Sequence, residues 1–192
     1  SKLPGKKLDR IIVIDVEATC WEGDPPAGQE SEIIEIGVCP LEIATGKRLE
    51  KKSILVKPAR SVVSPYCTRL TSLTSEEVEK GISFSDACSL LREEYSTKHR
   101  VWASYGDYDR RQFERQCQAA NIAYPFGPTH INVKNLFALA GQLPNEVGMA
   151  AALEILKQPL EGIHHRGGDD AWNIAGILSV LLIGMRLGMR PA

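Results

Sequence analysis

Asp15 and Glu17 close an almost unbroken apolar run, Arg-Ile-Ile-Val-Ile-Asp-Val-Glu over residues 10–17. The β-branched residues predict a strand over Arg10–Val16, covered on both faces and so central to a sheet. Side chains two apart on a strand point the same way, so the two carboxylates lie side by side at its end. Two such charges repel each other, and a divalent cation between them removes that cost. Two solvated charges at a strand end would explain an isolated pair as well. Asp109 is a second candidate. It opens a stretch of helical character, where Asp109-Arg-Arg-Gln112 resembles a capping box and Asp107 would serve equally as the cap. The third cluster is His164-His165-Arg166-Gly167-Gly168-Asp169-Asp170, directly before the last helical stretch. Its paired glycines suggest a mobile loop that carries a histidine, and its aspartates suit a helix N-terminus electrostatically.

Each cluster has an ordinary explanation alone; the combination points to chemistry. Hard oxygen ligands without cysteine suit Mg²⁺ or Mn²⁺ rather than zinc. Two such ions about 3.5–4 Å apart clamp the attacking and leaving oxygens of a phosphoryl transfer. A histidine titrating near neutral pH can take the proton from the attacking water.

The elements that must hold these groups follow from pattern. A turn-rich segment over Trp21–Gln29 leads to strands over Glu32–Leu41 and Lys51–Lys57, joined through a hairpin turn at Ala44–Lys47. Thr74-Ser-Glu-Glu77 is a capping box, with Gly81 suited to the end of a short helix. Helices are expected over Ser85–Glu94, Asp109–Asn121, Lys134–Ala140, Val147–Lys157 and Asp170–Leu187, with strands at His99–Ser104 and Thr129–Val133. Three strands followed by alternating helices and strands predict one α/β domain with a mixed sheet.

Bulk composition agrees and excludes some alternatives. The 192 residues, 43% hydrophobic and 24% charged, suit one globular domain, taken as residues 1–192 with a core over about 9–182. No run of about 18 apolar residues is present, so no membrane contact is expected, and Ser1–Asp9 does not read as a secretory signal. A formal net charge of −1 argues against a surface that grips long nucleic acid along its length. Five cysteines without a CxxC pair suit reduced thiols in a cytoplasmic protein.

At this point the chain resembles the DEDDh exonuclease superfamily. The carrying motifs are Ile14-Asp15-Val16-Glu17-Ala18-Thr19, Tyr105-Gly106-Asp107-Tyr108-Asp109 and His165-Arg-Gly-Gly-Asp169-Asp170. The segments Asp15–Pro26, Glu32–Ile36, Tyr66-Cys67, Leu70–Thr74 and His130–Asn132 resemble its Eri-type branch, whose members trim small interfering RNA, histone messenger RNA and ribosomal RNA. The resemblance covers roughly Asp9 to Leu182. It implies a ribonuclease H-like fold, a five-stranded mixed sheet flanked by helices. It implies metal-dependent 3′–5′ hydrolysis of single-stranded nucleic acid, RNA favoured and DNA possible, releasing 5′-mononucleotides. Asp15, Glu17, Asp109 and Asp170 would hold two Mg²⁺ or Mn²⁺ ions. His165 would act as general base, and Glu17, Ala18, Thr19 and His165 would meet the terminal nucleotide. The last motif, His, four residues, Asp, is satisfied both by His164 with Asp169 and by His165 with Asp170, the second pair being preferred from the branch's His-x-x-x-Asp-Asp pattern. Trp21 and Leu73 would pack near base or sugar, with core packing an equal reading for Leu73. Arg110, Arg111, Arg115 and Arg166 are the candidate phosphate contacts, against solvated arginines at even weight. The SAP domain often carried by animal relatives is not seen in this sequence, and the helix after Asp109 is more basic than the pattern. A phosphohydrolase of nucleotides or short oligomers, and a non-catalytic nucleic-acid-binding module of the same fold, are the alternative functions.

Overall fold

The computed structural model describes residues 5–190; the extreme ends of the expected domain, residues 1–4 and 191–192, lie outside them. The nearly unbroken apolar run forms β1, Lys7–Ala18, which pairs antiparallel with β2, Ile33–Glu42. β2 pairs antiparallel with β3, Lys52–Leu55. On its other edge β1 pairs parallel with β4, Arg100–Ser104, and β4 with β5, His130–Asn132. The order β3-β2-β1-β4-β5 is the expected five-stranded mixed sheet with β1 at its centre.

Alternation along β1 sends its residues into two cores. Ile12, Ile14 and Val16 pack with Trp102 under α3, Phe84–Glu94, and α4, Tyr108–Ala120. Trp102 stacks on Phe126 at 3.9 Å. Ile11 and Val13 face the opposite layer, with α5, Val133–Ala140, α6, Met149–Ile155, and α7, Gly167–Gly188. Each fully buried side chain of this kind contributes about 1.5–3 kcal/mol, so both layers hold β1 in place. Asp15 and Glu17 continue the residues that face α7, which is how a C-terminal helix comes to meet an N-terminal strand. By length and composition α7 could cross a bilayer, but its first half is buried from Gly167 to Ser179 against the sheet.

The structure adds one helix, decides between the two caps offered at α4, and corrects the reading of one glycine pair. A helix not read from the sequence, α1 over Pro65–Thr71, follows Ser64 as N-cap, with Pro65 in the first turn. A capping serine before proline was the available signal. The capping box stands as expected at the start of α2, Ser75–Val78. At α4 the N-cap is Asp107, but its side chain makes no capping bond, and Asp109 lies in the first turn with its carboxylate elsewhere. Gly167 and Gly168 form no mobile loop. They are the buried first turn of α7, where a Cβ on the facing Gly37 would stand 1.7 Å from Gly167 O. Only a bare backbone permits that approach, and it lets the helix start directly over the end of β1.

Candidate active site

Asp15 and Glu17 leave the end of β1 on one face, as their spacing predicts. Ligand oxygens of Asp15, Glu17 and Asp170 all lie within 4.8 Å of one another. Asp109 joins from α4: its Oδ1 accepts a hydrogen bond from Val16 N–H at 2.8 Å, and it is 4% exposed. Glu35, opposite Glu17 in the β1–β2 ladder, adds a fifth, fully buried carboxylate.

These charges share a poorly solvated space. Burial, then the charges of Asp109, Glu17, Asp170 and Glu35, hold the Asp15 carboxyl well above the usual range. Burial followed by Asp170 and Glu35 pushes Glu17 up to about 9. Burial pushes Asp109 up to about 7 against the lowering hydrogen bond from Val16, and burial also raises Asp170. The cation within the group is Arg166, which donates to Glu35 at 3.0–3.5 Å. Glu35 also accepts from Ser53 Oγ–H at 2.9 Å and from Gly167 N–H. With Arg166 bound to Glu35, the negative charge of Asp15, Glu17, Asp109 and Asp170 is uncompensated. Such a set, all hard oxygen, fits divalent cations.

The histidine segment resolves the ambiguity between the two aspartates. Asp169 turns away, accepting from Lys51 Nζ at 2.7 Å and Ile163 N–H at 2.9 Å. Asp170 turns inward, 4% exposed. His165 N–H donates to Asp170 Oδ2 at 2.9 Å, while His164 Nδ1 lies 3.0 and 3.1 Å from its two oxygens. The His165 ring stacks on that of His164 at 3.9 Å, from a backbone with φ of 65°. That left-handed conformation is rare for a side-chain-bearing residue and marks a position held by its surroundings. Burial, then the neighbouring His164, lower the His165 pKa.

The remaining expectations are placed as follows. Ala18 is buried at the strand end, beside a register shift between Glu17 and Ala18. Thr19 is fully buried; its N–H donates to Glu32 O, and its hydroxyl meets Ser61 Oγ and accepts from Glu32 N–H. Leu73 packs in a core with Ile34, Val63, Cys67 and Val78, while Trp21 is half-buried in the following loop. Of the four candidate phosphate-binding arginines, Arg110 pairs with Glu114 and Asp107, and Arg115 with Ser31 O, Gln112 and Glu30. Arg166 is committed to Glu35. Arg111 lines an open cleft of about 560 Å³ together with Arg115, Tyr108, Asn132 and Lys134. The Glu35–Arg166 pair was missed in the sequence, where its only sign was one charge inside Ile33-Ile34-Glu35-Ile36.

A mixed five-stranded sheet carrying clustered carboxylates at the end of its central strand is the arrangement of a ribonuclease H-like fold with a site suited to divalent cations. The family model described as "Exonuclease" (RNase T) matches residues 12–178, and the chain belongs to this family. It is 31% identical over 179 residues to the human protein "3'-5' exoribonuclease 1", the match covering 88% of this chain and 51% of that one. The chain therefore spans about half the length of the curated relatives it matches. Among solved structures it resembles the nuclease domain of 3'hExo, described as a DEDDh family member bound to rAMP. The TM-score is 0.84 and the identity 28%, with 94% of this chain and 95% of that one covered. A structure described as 3'-end specific recognition of histone mRNA stem-loop by 3'-exonuclease gives a TM-score of 0.81 at 28% identity, covering 92% and 82%.

Proposed function

We propose that this chain removes nucleotides from the 3′ end of single-stranded nucleic acid, RNA in preference to DNA, with Mg²⁺ or Mn²⁺. The observation that carries the reading is the meeting of Asp15, Glu17, Asp109 and Asp170 beside a histidine segment held in a left-handed conformation. The family relatives support RNA as substrate, one structure being bound to rAMP and another concerning histone mRNA.

In this reading Asp15, Glu17, Asp109 and Asp170 would hold two divalent ions, whose charge would favour deprotonation of water and stabilise the leaving oxygen. His165 accepts the proton that the water gives up, its neutral imidazole being favoured by burial. Glu17 and Ala18 would meet the terminal nucleotide, and Thr19, fully buried and bonded to Glu32 and Ser61, would hold the backbone that follows them. The open cleft lined by Tyr108, Arg111, Arg115 and Lys134 receives the nucleotides that precede it. Attack by water on the last phosphodiester leaves the phosphate on the departing residue, a 5′-mononucleotide, and a new 3′-hydroxyl on the chain. The five free cysteines support work in a reducing compartment, the cytoplasm.

The test uses 5′-labelled single-stranded RNA, single-stranded DNA and duplexes in Mg²⁺ or Mn²⁺, with the product ladder read out. A ladder shortening one residue at a time from the 3′ end is expected. Cleavage confined to nucleotides or the shortest oligomers would indicate a phosphohydrolase, and metal-independent binding without turnover a binding module. Asp15→Asn should abolish the ladder in a folded protein, and His165→Ala should slow it about 10²–10⁴-fold with substrate binding retained.

A further inference from the structure

We propose that His164, His165 and Asp170 form a second metal site, for a nitrogen-preferring divalent ion such as Zn²⁺, whose occupation switches the nuclease off. The inference rests on the roles given above to Asp170 and His165, but His164 has no part in that chemistry.

Geometry comes first. One donor atom from each of the three residues lies within 4.8 Å of the others. His164 Nδ1 is already 3.0 and 3.1 Å from the Asp170 oxygens. Zn–N and Zn–O bonds of about 2.0–2.2 Å put tetrahedral neighbours roughly 3.3 Å apart. An ion replacing the shared proton would therefore open this pair by only a few tenths of an ångström. The His165 ring lies 3.9 Å from that of His164 and needs only to turn about its own side-chain bonds to present a nitrogen. The His164 side chain is 42% exposed, which leaves an entry path and room for water as a fourth ligand.

The donor chemistry separates this site from the catalytic one. Asp15, Glu17 and Asp109 offer oxygen alone, the preference of Mg²⁺ and Mn²⁺. Two imidazoles and one carboxylate are the donor set of many zinc centres with an open fourth position, and at nitrogen sites Co²⁺ and Zn²⁺ outrank Mn²⁺. Asp169, which might have served instead, is turned toward Lys51 and Ile163. Asp170 is the shared residue. An ion drawn to the two histidines pulls Asp170 from the catalytic carboxylates, and a coordinated His165 nitrogen has no lone pair left to accept a proton. Both losses fall on hydrolysis, so occupation inhibits.

Cobalt(II) reports the site without reference to turnover. Four-coordinate Co²⁺ with nitrogen ligands absorbs strongly in the visible, and six-coordinate Co²⁺ among oxygens barely does. Titration of the metal-free protein should give an intense band at one equivalent, lost on adding Zn²⁺ and kept on adding equal Mg²⁺. His164→Ala should lack the band. His164→Gln, which can still donate a hydrogen bond to Asp170, should lack it too, which separates ligation from simple support of the fold. In Mg²⁺-supported hydrolysis, half-inhibition by Zn²⁺ should need at least tenfold more Zn²⁺ in either variant than in the wild type. An unchanged band in His164→Ala, or equal inhibition of all three proteins, overturns the proposal. A protein with no nuclease activity would defeat the proposed function, and the cobalt spectrum would still decide this one.

Discussion

α4 and α7 each deliver one carboxylate to the end of β1, and the two deliveries depend on different physics. Asp109 is held by a main-chain donor of the central strand, Val16 N–H, so its position is a property of the sheet itself. Its helix begins without a side-chain capping bond. Asp170 is placed by contacts that lie off the central strand. Gly37 and Gly167 allow the first turn of α7 to touch β2, and buried Glu35 binds both Arg166 and Gly167 N–H. One ligand is thus fixed by backbone already required for folding, the other by a buried ion pair and a bare-backbone contact. The second arrangement should be the more fragile.

The largest difference should appear on removing the ion pair. Arg166→Ala leaves Glu35 buried without its cation, a loss of about 3–5 kcal/mol measured by urea unfolding. Asp107→Ala, at the start of α4, removes only a partly exposed pair with Arg110 and should cost under about 1 kcal/mol. Equal losses would remove the distinction. Gly37→Ala comes next. Its methyl would meet the Gly167 carbonyl, with backbone on both sides, and should cost about 3 kcal/mol, the upper part of the usual overpacking range. Gly106→Ala, before α4, has a φ of 95° but only the Lys134 side chain near its Cβ, at 3.7 Å. It should cost about 1–2 kcal/mol, from backbone strain alone.

A smaller effect separates the carboxylates from the scaffold. In the metal-free protein their folded pKa values are raised, to about 7 for Asp109 and about 9 for Glu17. Above about pH 4 the unfolded chain has released protons that the folded chain keeps. Stability in chelator should therefore fall as pH rises through the interval from about 4 to about 9, and saturating Mg²⁺ should flatten that fall. Melting temperatures that climbed with pH in chelator would show that the carboxylates do not crowd one another. The smallest effect concerns Arg111. With Arg166 committed to buried Glu35 and Arg110 and Arg115 held in partly exposed ion pairs, few unpaired cations remain for phosphates. Binding of oligomers of increasing length in Ca²⁺ should show a shallow salt dependence, equivalent to about two contacts, and Arg111→Ala should reduce the slope by about 0.7. Affinity that keeps rising with length, on a steep slope, would reveal a basic track elsewhere.

Much of this was legible in the sequence because it follows from short periods. The β-branched run placed β1 at the centre of the sheet, and a spacing of two put Asp15 and Glu17 on one face. The choice between His164 with Asp169 and His165 with Asp170 was not decided by spacing, since both pairs satisfy it. Successive helix residues point about 100° apart, and only the docking of α7 shows which aspartate turns inward. The burial of Gly167 and Gly168 was hidden for a similar reason. A glycine pair reads as freedom until the facing strand supplies another glycine. Arg166 looked like a phosphate contact because its partner, Glu35, lies far away along the chain.

That wide separation has a consequence for how the molecule comes into being. The carboxylates arrive from β1, α4 and α7, so no early portion of the chain can assemble the site. During synthesis, which supplies the N-terminal segments first, β1 and β2 can pair while α7 is still unmade. A ribosome-bound intermediate would carry Asp15 and Glu17 without Asp170 or the histidine segment. The order of the chain thus leaves the carboxylate cluster incomplete until α7 docks.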